Sequence, residues 1–184
     1  MSAFTMNSKS EAATQTHNVK PGESYWKIAS EFGVPINSLL KANHKTSTLL
    51  YAGENLVIPN SPITAAEKDL IARLVHAEAK GEPYAGKVAV ATVIFNRVTS
   101  VDFPNTIHDV IYQIESGHYA FTPVQNGAIN QPADEASKQA VNEALAFRGQ
   151  GKGSLYFFNP NTAKSNWILT REVTTTIGNH RFAK

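Results

Sequence analysis

Cysteine is absent from the 184 residues. That removes thiol peptidases, thiolate zinc sites and disulfides together, yet leaves the compartment open, because an exported protein need not carry disulfides. No apolar run is long enough to span a bilayer, so membrane insertion is not expected. Charge of one sign is also lacking. Lys and Arg number 17 against 15 Asp and Glu, a formal net +2, too little to point to nucleic acid. The six histidines are scattered and His-Glu-x-x-His does not occur, so neither a metal nor a cofactor is expected. No serine sits in a nucleophile-elbow context, which leaves an acyl-transfer triad unsupported. Residues 1–16 are rich in Ser, Thr and Ala without an apolar centre. They read as a disordered segment and not as a secretory signal.

What is present is organised around Ile71 to Tyr84. Ile71, Leu74 and Val75 recur at helical spacing, and the next position on that stripe is Glu78. Gly81 and Pro83 stop the helix just beyond, placing Glu78 in its last turn. A carboxylate aimed at a core or cleft is costly unless paired or protonated. Desolvation and the negative helix C-terminus both predict a raised pKa, which suits a general acid. The plainer reading is a Glu at the edge of a helix face, reaching solvent or paired with a neighbouring Lys or Arg.

The first third of the chain reads as strand, helix, helix, strand. Pro21-Gly22 is a turn, Ser24 caps a helix that Gly33 ends, and Val34-Pro35 starts a second through Ile36, Leu39, Leu40 and Ala42. Asn55 to Pro59 is a strand. Val19-Lys20-Pro21-Gly22-Glu23-Ser24, Trp26-Lys27-Ile28-Ala29, Leu39-Leu40-Lys41-Ala42-Asn43 and Leu56-Val57-Ile58-Pro59 resemble a lysin-motif (LysM) module over residues 17–59. The resemblance implies a shallow groove for N-acetylglucosamine polymers, with Gly22, Glu23, Ser24 and Tyr25 on one side and Leu50, Tyr51, Ala52 and Gly53 on the other. Tyr25 stands where that family more often has an aliphatic residue, and reads as a core or edge variation. Trp26, Ile28 and Leu39 read as core. Asn60-Ser61-Pro62 is a linker too short for a long tether, so the two parts are expected to sit close.

Residues 63–184 read as mainly helical with a small sheet near the end. Thr64 and Glu67 form a capping box. Tyr84 begins a helix apolar on nearly all sides, expected to be the buried centre of the domain. Thr106 opens a short helix with Ile107, Val110, Ile111 and Ile114 on one face. Glu115 to Pro132 reads as a polar and aromatic loop, and Asp134 to Phe147 as another helix. Gly149, Gly151 and Gly153 then break the chain. Leu155 to Phe158 and Val173 to Ile177 read as strands, and 178–182 as a return to the core.

In this part His76-Ala77-Glu78-Ala79-Lys80-Gly81-Glu82-Pro83-Tyr84, Ile94-Phe95-Asn96-Arg97-Val98, Tyr119-Ala120-Phe121-Thr122-Pro123-Val124, Leu155 to Pro160 and Ile177 to Phe182 resemble the cell-wall hydrolases of the spore cortex-lytic type. The resemblance implies a lysozyme-like fold and cleavage of the peptidoglycan glycan by one catalytic Glu, here Glu78. Ala120 departs from it, since the family usually has Gln there. Tyr84, Phe121, Thr122, Tyr156, Asn159, Trp167 and His180 are the expected substrate contacts. For the aromatic ones core packing is an equal alternative, and for His180 a structural hydrogen bond is.

A glycosidase ordinarily uses two carboxylates. Glu82, Asp102, Asp109 and Glu115 are the nearby candidates; Glu82 reads as a cap on the next helix, and none holds a stripe position like that of Glu78. One acid without a clear partner favours a lytic transglycosylase over a hydrolase or a non-catalytic binding protein. His76 and Glu78, two apart on a helix, point away from each other and make no metal pair. The expectation is an α+β chain, a βααβ LysM domain followed by a mainly helical lysozyme-like domain. It would act as a monomer on peptidoglycan in the bacterial cell wall or spore cortex.

Overall fold

The computed structural model describes residues 15–150 and 152–184. The segment expected to be disordered lies outside them up to residue 14, as does Gly151. Thr16, placed in that segment above, instead opens the first strand. β1 (Thr16–Asn18) pairs antiparallel with β2 (Asn55–Val57), with Thr16 opposite Val57. Between them, α1 (Tyr25–Phe32) starts where Ser24 Oγ accepts from Lys27 N, and ends at Gly33 in the left-handed conformation. α2 (Ile36–Ala42) follows Pro35. Asn43 closes it and braces the strand: its amide donates to Val57 O and its carbonyl accepts from Val57 N, at 2.8 and 2.7 Å.

The rest is mainly helical. α3 (Ala65–Glu78) carries the expected capping box, Thr64 with Glu67. α4 (Tyr84–Thr99) buries Val90, Ala91, Val93, Ile94 and Phe95 and is the centre of the core. α5 (Ile107–Ile111) is capped by Thr106. Ile114, expected on its buried face, is 60% exposed, because α5 ends at Ile111 and the chain turns extended. The expected loop 115–132 contains ordered pieces. β3 (Ile114–Glu115) and β4 (His118–Tyr119) form a hairpin, α6 (Thr122–Gln125) one turn, and Ala128–Asn130 a 3-10 turn. α7 (Glu135–Ala146), capped by Asp134, packs on both α3 and α4. β5 (Tyr156–Phe158), β6 (Val173–Ile177) and β7 (His180–Ala183) make an antiparallel sheet in the order β5-β7-β6. A short α8 (Asn166–Leu169) lies between β5 and β6. The return strand β7 is thus the central strand, and its Phe182 and Ala183 are buried.

The two parts share a packed face. α1 lies against α7, and Ala146 of α7 is buried in the core formed by Val19, Tyr25, Ile28, Leu39 and Leu56. Lys68 on α3 donates to Gly33 O at 3.0 Å across the same junction. Among the described residues no helix is long and apolar enough to cross a membrane.

Candidate functional site

Glu78 is the last residue of α3, and the turn 79–83 reverses the chain into α4. Its side chain is half-buried and has no hydrogen-bond or ion-pair partner among the described residues. Burial pushes its pKa from 4.5 to about 7, opposed only by the positive charge of Arg97.

Arg97 is one of two buried cations on the largely apolar α4, the other being Lys87, which donates to Ser137. The Arg97 Nε donates to Leu155 O at 2.7 Å, and its guanidinium lies 4.7 Å from the ring centre of Phe103, 5.1 Å from Phe121 and 5.6 Å from Tyr156. Burial lowers its pKa to about 10, against the charges of Tyr156, Glu115 and Glu78. Sequence reasoning gave Arg97 no role. The available signal was an arginine in the last turn of a largely apolar helix, where a buried charge needs partners.

Arg97 also lines a cleft of about 310 Å³ with Asp102, Phe103, Glu115, Tyr156 and Trp167. Trp167, 50% exposed, meets Tyr156 edge-on at 5.1 Å and carries Arg171 at 4.5 Å over its ring. The structure therefore brings together two of the expected aromatic contacts, and adds two carboxylates whose position the sequence did not reveal. Ala120 lines the same cleft.

Other expected contacts lie elsewhere. Phe121 is 3% exposed and stacks on Phe157 beneath Arg97, so its ring is core and cannot meet a sugar. Thr122 is exposed in the first turn of α6, outside the cleft lining. Asn159 is occupied in the turn after β5, its Oδ1 accepting from Asn161 N. His180 packs its ring 5.5 Å from Phe157, and its buried Nδ1 has no hydrogen-bond partner among the described residues. Tyr84 faces the junction with the N-terminal module, where its hydroxyl donates to Glu143 at 2.9 Å. Burial, then that carboxylate, raises its pKa to about 12.

Glu82 does not cap α4, whose N-cap is Pro83. Its carboxylate accepts from Asn179 N at 2.9 Å and from Asn179 Nδ2 at 3.0 Å, tying the β6–β7 turn to the turn after Glu78. Burial would raise its pKa, but the two Asn179 hydrogen bonds outweigh burial and hold it below the usual value. His76 points away from Glu78, with Nδ1 3.3 Å from Asp134 Oδ2.

In the N-terminal module Gly22, Tyr51, Ala52 and Gly53 are exposed and Leu50 is half-buried. Glu23 is held by His17 and by Lys20 N, both at 2.7 Å, and Ser24 caps α1. Tyr25 is 1% exposed and belongs to the core, so it is not a groove residue. Trp26 reverses the other expectation: it is 39% exposed, because α1 turns it outward from the small core.

The cell wall hydrolase family matches residues 81–183, and the LysM domain family matches residues 17–59. Glu78 lies just ahead of the first of these spans. A spore cortex-lytic enzyme of Bacillus cereus is 47% identical over 192 residues, covering 88% of this chain and 73% of that protein. One from Bacillus subtilis is 39% identical over 133 residues, 71% of this chain and 42% of that protein. Among solved structures, the catalytic domain of the germination-specific lytic transglycosylase SleB from Bacillus anthracis is 43% identical with a TM-score of 0.61. That match covers 69% of this chain and 100% of that domain.

Proposed function

The chain belongs to the cell wall hydrolase family and carries a LysM domain, and from that membership we propose that it cleaves the glycan strands of peptidoglycan as a lytic transglycosylase. The observation that carries the reading is the half-buried Glu78 carboxyl, without a hydrogen-bond or ion-pair partner among the described residues, with a pKa of about 7 and a charge felt by Arg97, a residue of the cleft. Such a group is populated in both protonation states near neutral pH, as a residue that must give and then take a proton requires.

The chemistry follows from that single group. Protonated Glu78 donates to the glycosidic oxygen between N-acetylmuramic acid C1 and the next N-acetylglucosamine, and the C1–O bond breaks. The resulting carboxylate takes the proton of the muramic 6-hydroxyl, whose oxygen bonds to C1. A 1,6-anhydro end forms, Glu78 is protonated again, and no water is consumed. Tyr156 and Trp167 offer ring faces to the sugars in the cleft. Residues 17–59 hold the polymer and residues 63–184 cut it, so tethering raises the local substrate concentration. The site of action is the bacterial cell wall or spore cortex, and the chain works as a monomer.

One observation favours hydrolysis as a second reading. Glu115 and Asp102 line the same cleft, and either would serve as the base for a water on the opposite face of the sugar.

Mass spectrometry of digested peptidoglycan separates the two. Anhydromuramic ends are expected; reducing muramic ends alone would establish hydrolysis. Glu78→Gln should abolish both products while the chain still binds peptidoglycan, and clearing by this variant at the parent rate would remove Glu78 from the mechanism.

A further inference from the structure

A groove of about 440 Å³ lies between the N-terminal module and α7, separate from both the Arg97 cleft and the Tyr51 loop. Trp26, Lys27, Ser30 and Glu31 of α1 form one wall. Tyr84 of α4, with Gln139, Asn142 and Glu143 of α7, forms the other. The two aromatic rings are 39% and 41% exposed, and the hydrogen bond to Glu143 fixes the Tyr84 phenol in place. Aromatic faces flanked by amides and a carboxylate are the chemistry of a pyranose site. The C–H face of the sugar packs on a ring, and hydroxyl and acetamido groups bond to the amides and acid. The lining carries Lys27 with two carboxylates, Glu31 and Glu143, the latter already taking the Tyr84 hydroxyl; this disfavours an anion and suits a polyhydroxylated ligand. The volume and the position between two domains are those of a ligand site. Tyr84 follows Glu78 by only the turn 79–83.

We propose that this groove is a second saccharide subsite, taking an N-acetylhexosamine segment of a glycan strand and bridging the LysM module to the helical domain. For the class of ligand the proposal rests on the peptidoglycan reading above. Its occupancy explains why a module joined by so short a linker packs on α7 with two aromatic side chains left uncovered.

The test uses the full chain carrying Glu78→Gln and the N-acetylglucosamine pentamer as probe. The sequence has two tryptophans, so two indole N–H resonances in a proton–nitrogen NMR spectrum report separately on Trp26 in the groove and Trp167 in the cleft. Saturable shifts of the Trp26 resonance are expected. They should persist when Tyr51→Ala disables the LysM loop. Tyr84→Ala, in the other domain, should weaken the affinity read at Trp26 roughly three- to tenfold, the value of one aromatic contact. Thermal melts check folding, and Gln139→Ala repeats the measurement should Tyr84→Ala prove unstable. A Trp26 resonance that does not move, or that moves with unchanged affinity in both variants, overturns the subsite. The lytic reading fails on a different measurement, the products of the unmodified chain. A responsive Trp26 without glycan cleavage would overturn that reading and leave the subsite standing.

Discussion

Removing the Glu78 charge should stabilise this protein while inactivating it, and the gain should depend on pH. In the folded chain the Glu78 carboxyl titrates at about 7, against 4.5 when solvated, because burial disfavours its charged form. A rise of about 2.5 at 1.36 kcal/mol each amounts to roughly 3 kcal/mol of penalty on the ionised folded state, an upper bound because the side chain keeps some contact with solvent. Below pH 4.5 the group is protonated both folded and unfolded, and the penalty is absent. As pH rises from 4.5 through about 7 the unfolded chain ionises first, so stability falls; above 7 the full penalty remains. Glu78→Gln carries no charge at any pH. Its melting temperature minus that of the parent should be near zero at pH 4.5 and should rise to on the order of 5–10 °C by pH 8. The assay is a set of thermal or urea melts of both proteins from pH 4.5 to 8.5. A difference that stays flat across this range would show an ordinary solvated carboxylate, and the argument for a poised acid would fail with it.

Activity should fall along the same limb, as Glu78 loses its proton above about 7, and Arg97→Met should move that limb upward by removing the opposing cation; an unmoved or lowered limb in a pH–rate profile would refute the coupling. Gly178→Ala should cost about 2 kcal/mol or more in a denaturant melt. Gly178 sits at φ +57, where an added Cβ would overlap Glu82 Oε2 and approach Pro83 Cδ to 2.7 Å; a variant as stable as the parent would mean the Glu82–Asn179 clamp is slack. Deleting residues 1–60 should weaken binding to insoluble peptidoglycan, and also lower the melting temperature of the remainder, because the α1-facing side of α7 and Ala146 lose their cover. An unchanged melt would show that the two parts are energetically independent.

The elements were legible because their signals are local. Thr64 with Glu67, Ser24 before α1, Thr106 and Asp134 each declare a helix start through a hydrogen bond closed within three residues. The stripe that runs Ile71, Leu74, Val75 puts Glu78 on the apolar face, and Gly81 with Pro83 sets it at the helix end. Ile114 was misread because helical periodicity carries no mark of where a five-residue helix gives way to a hairpin. Trp26 and Phe121 exchanged their expected roles for a related reason. Aromatic residues suit a core and a sugar face equally, and only their neighbours decide which. For Phe121 the neighbours are Arg97 and Phe157, both far away in sequence.

By itself the sequence determined the two-part organisation, the acid at the end of α3 and the chemistries that lack residues to perform them. All of these depend on residue type and short spacing. Tertiary structure decided which carboxylates share a cleft with Arg97, that Glu82 clamps Asn179 instead of capping α4, and that Tyr84 faces Trp26 across a groove. Apart from Arg97 with the nearby Asp102, each of these joins residues well separated in the sequence, Glu82 with Asn179 and Trp26 with Tyr84 among them. Such contacts arise when α4, α7 and the sheet bury their apolar faces together, and the energy that brings them into contact belongs to the whole core rather than to any segment of the chain.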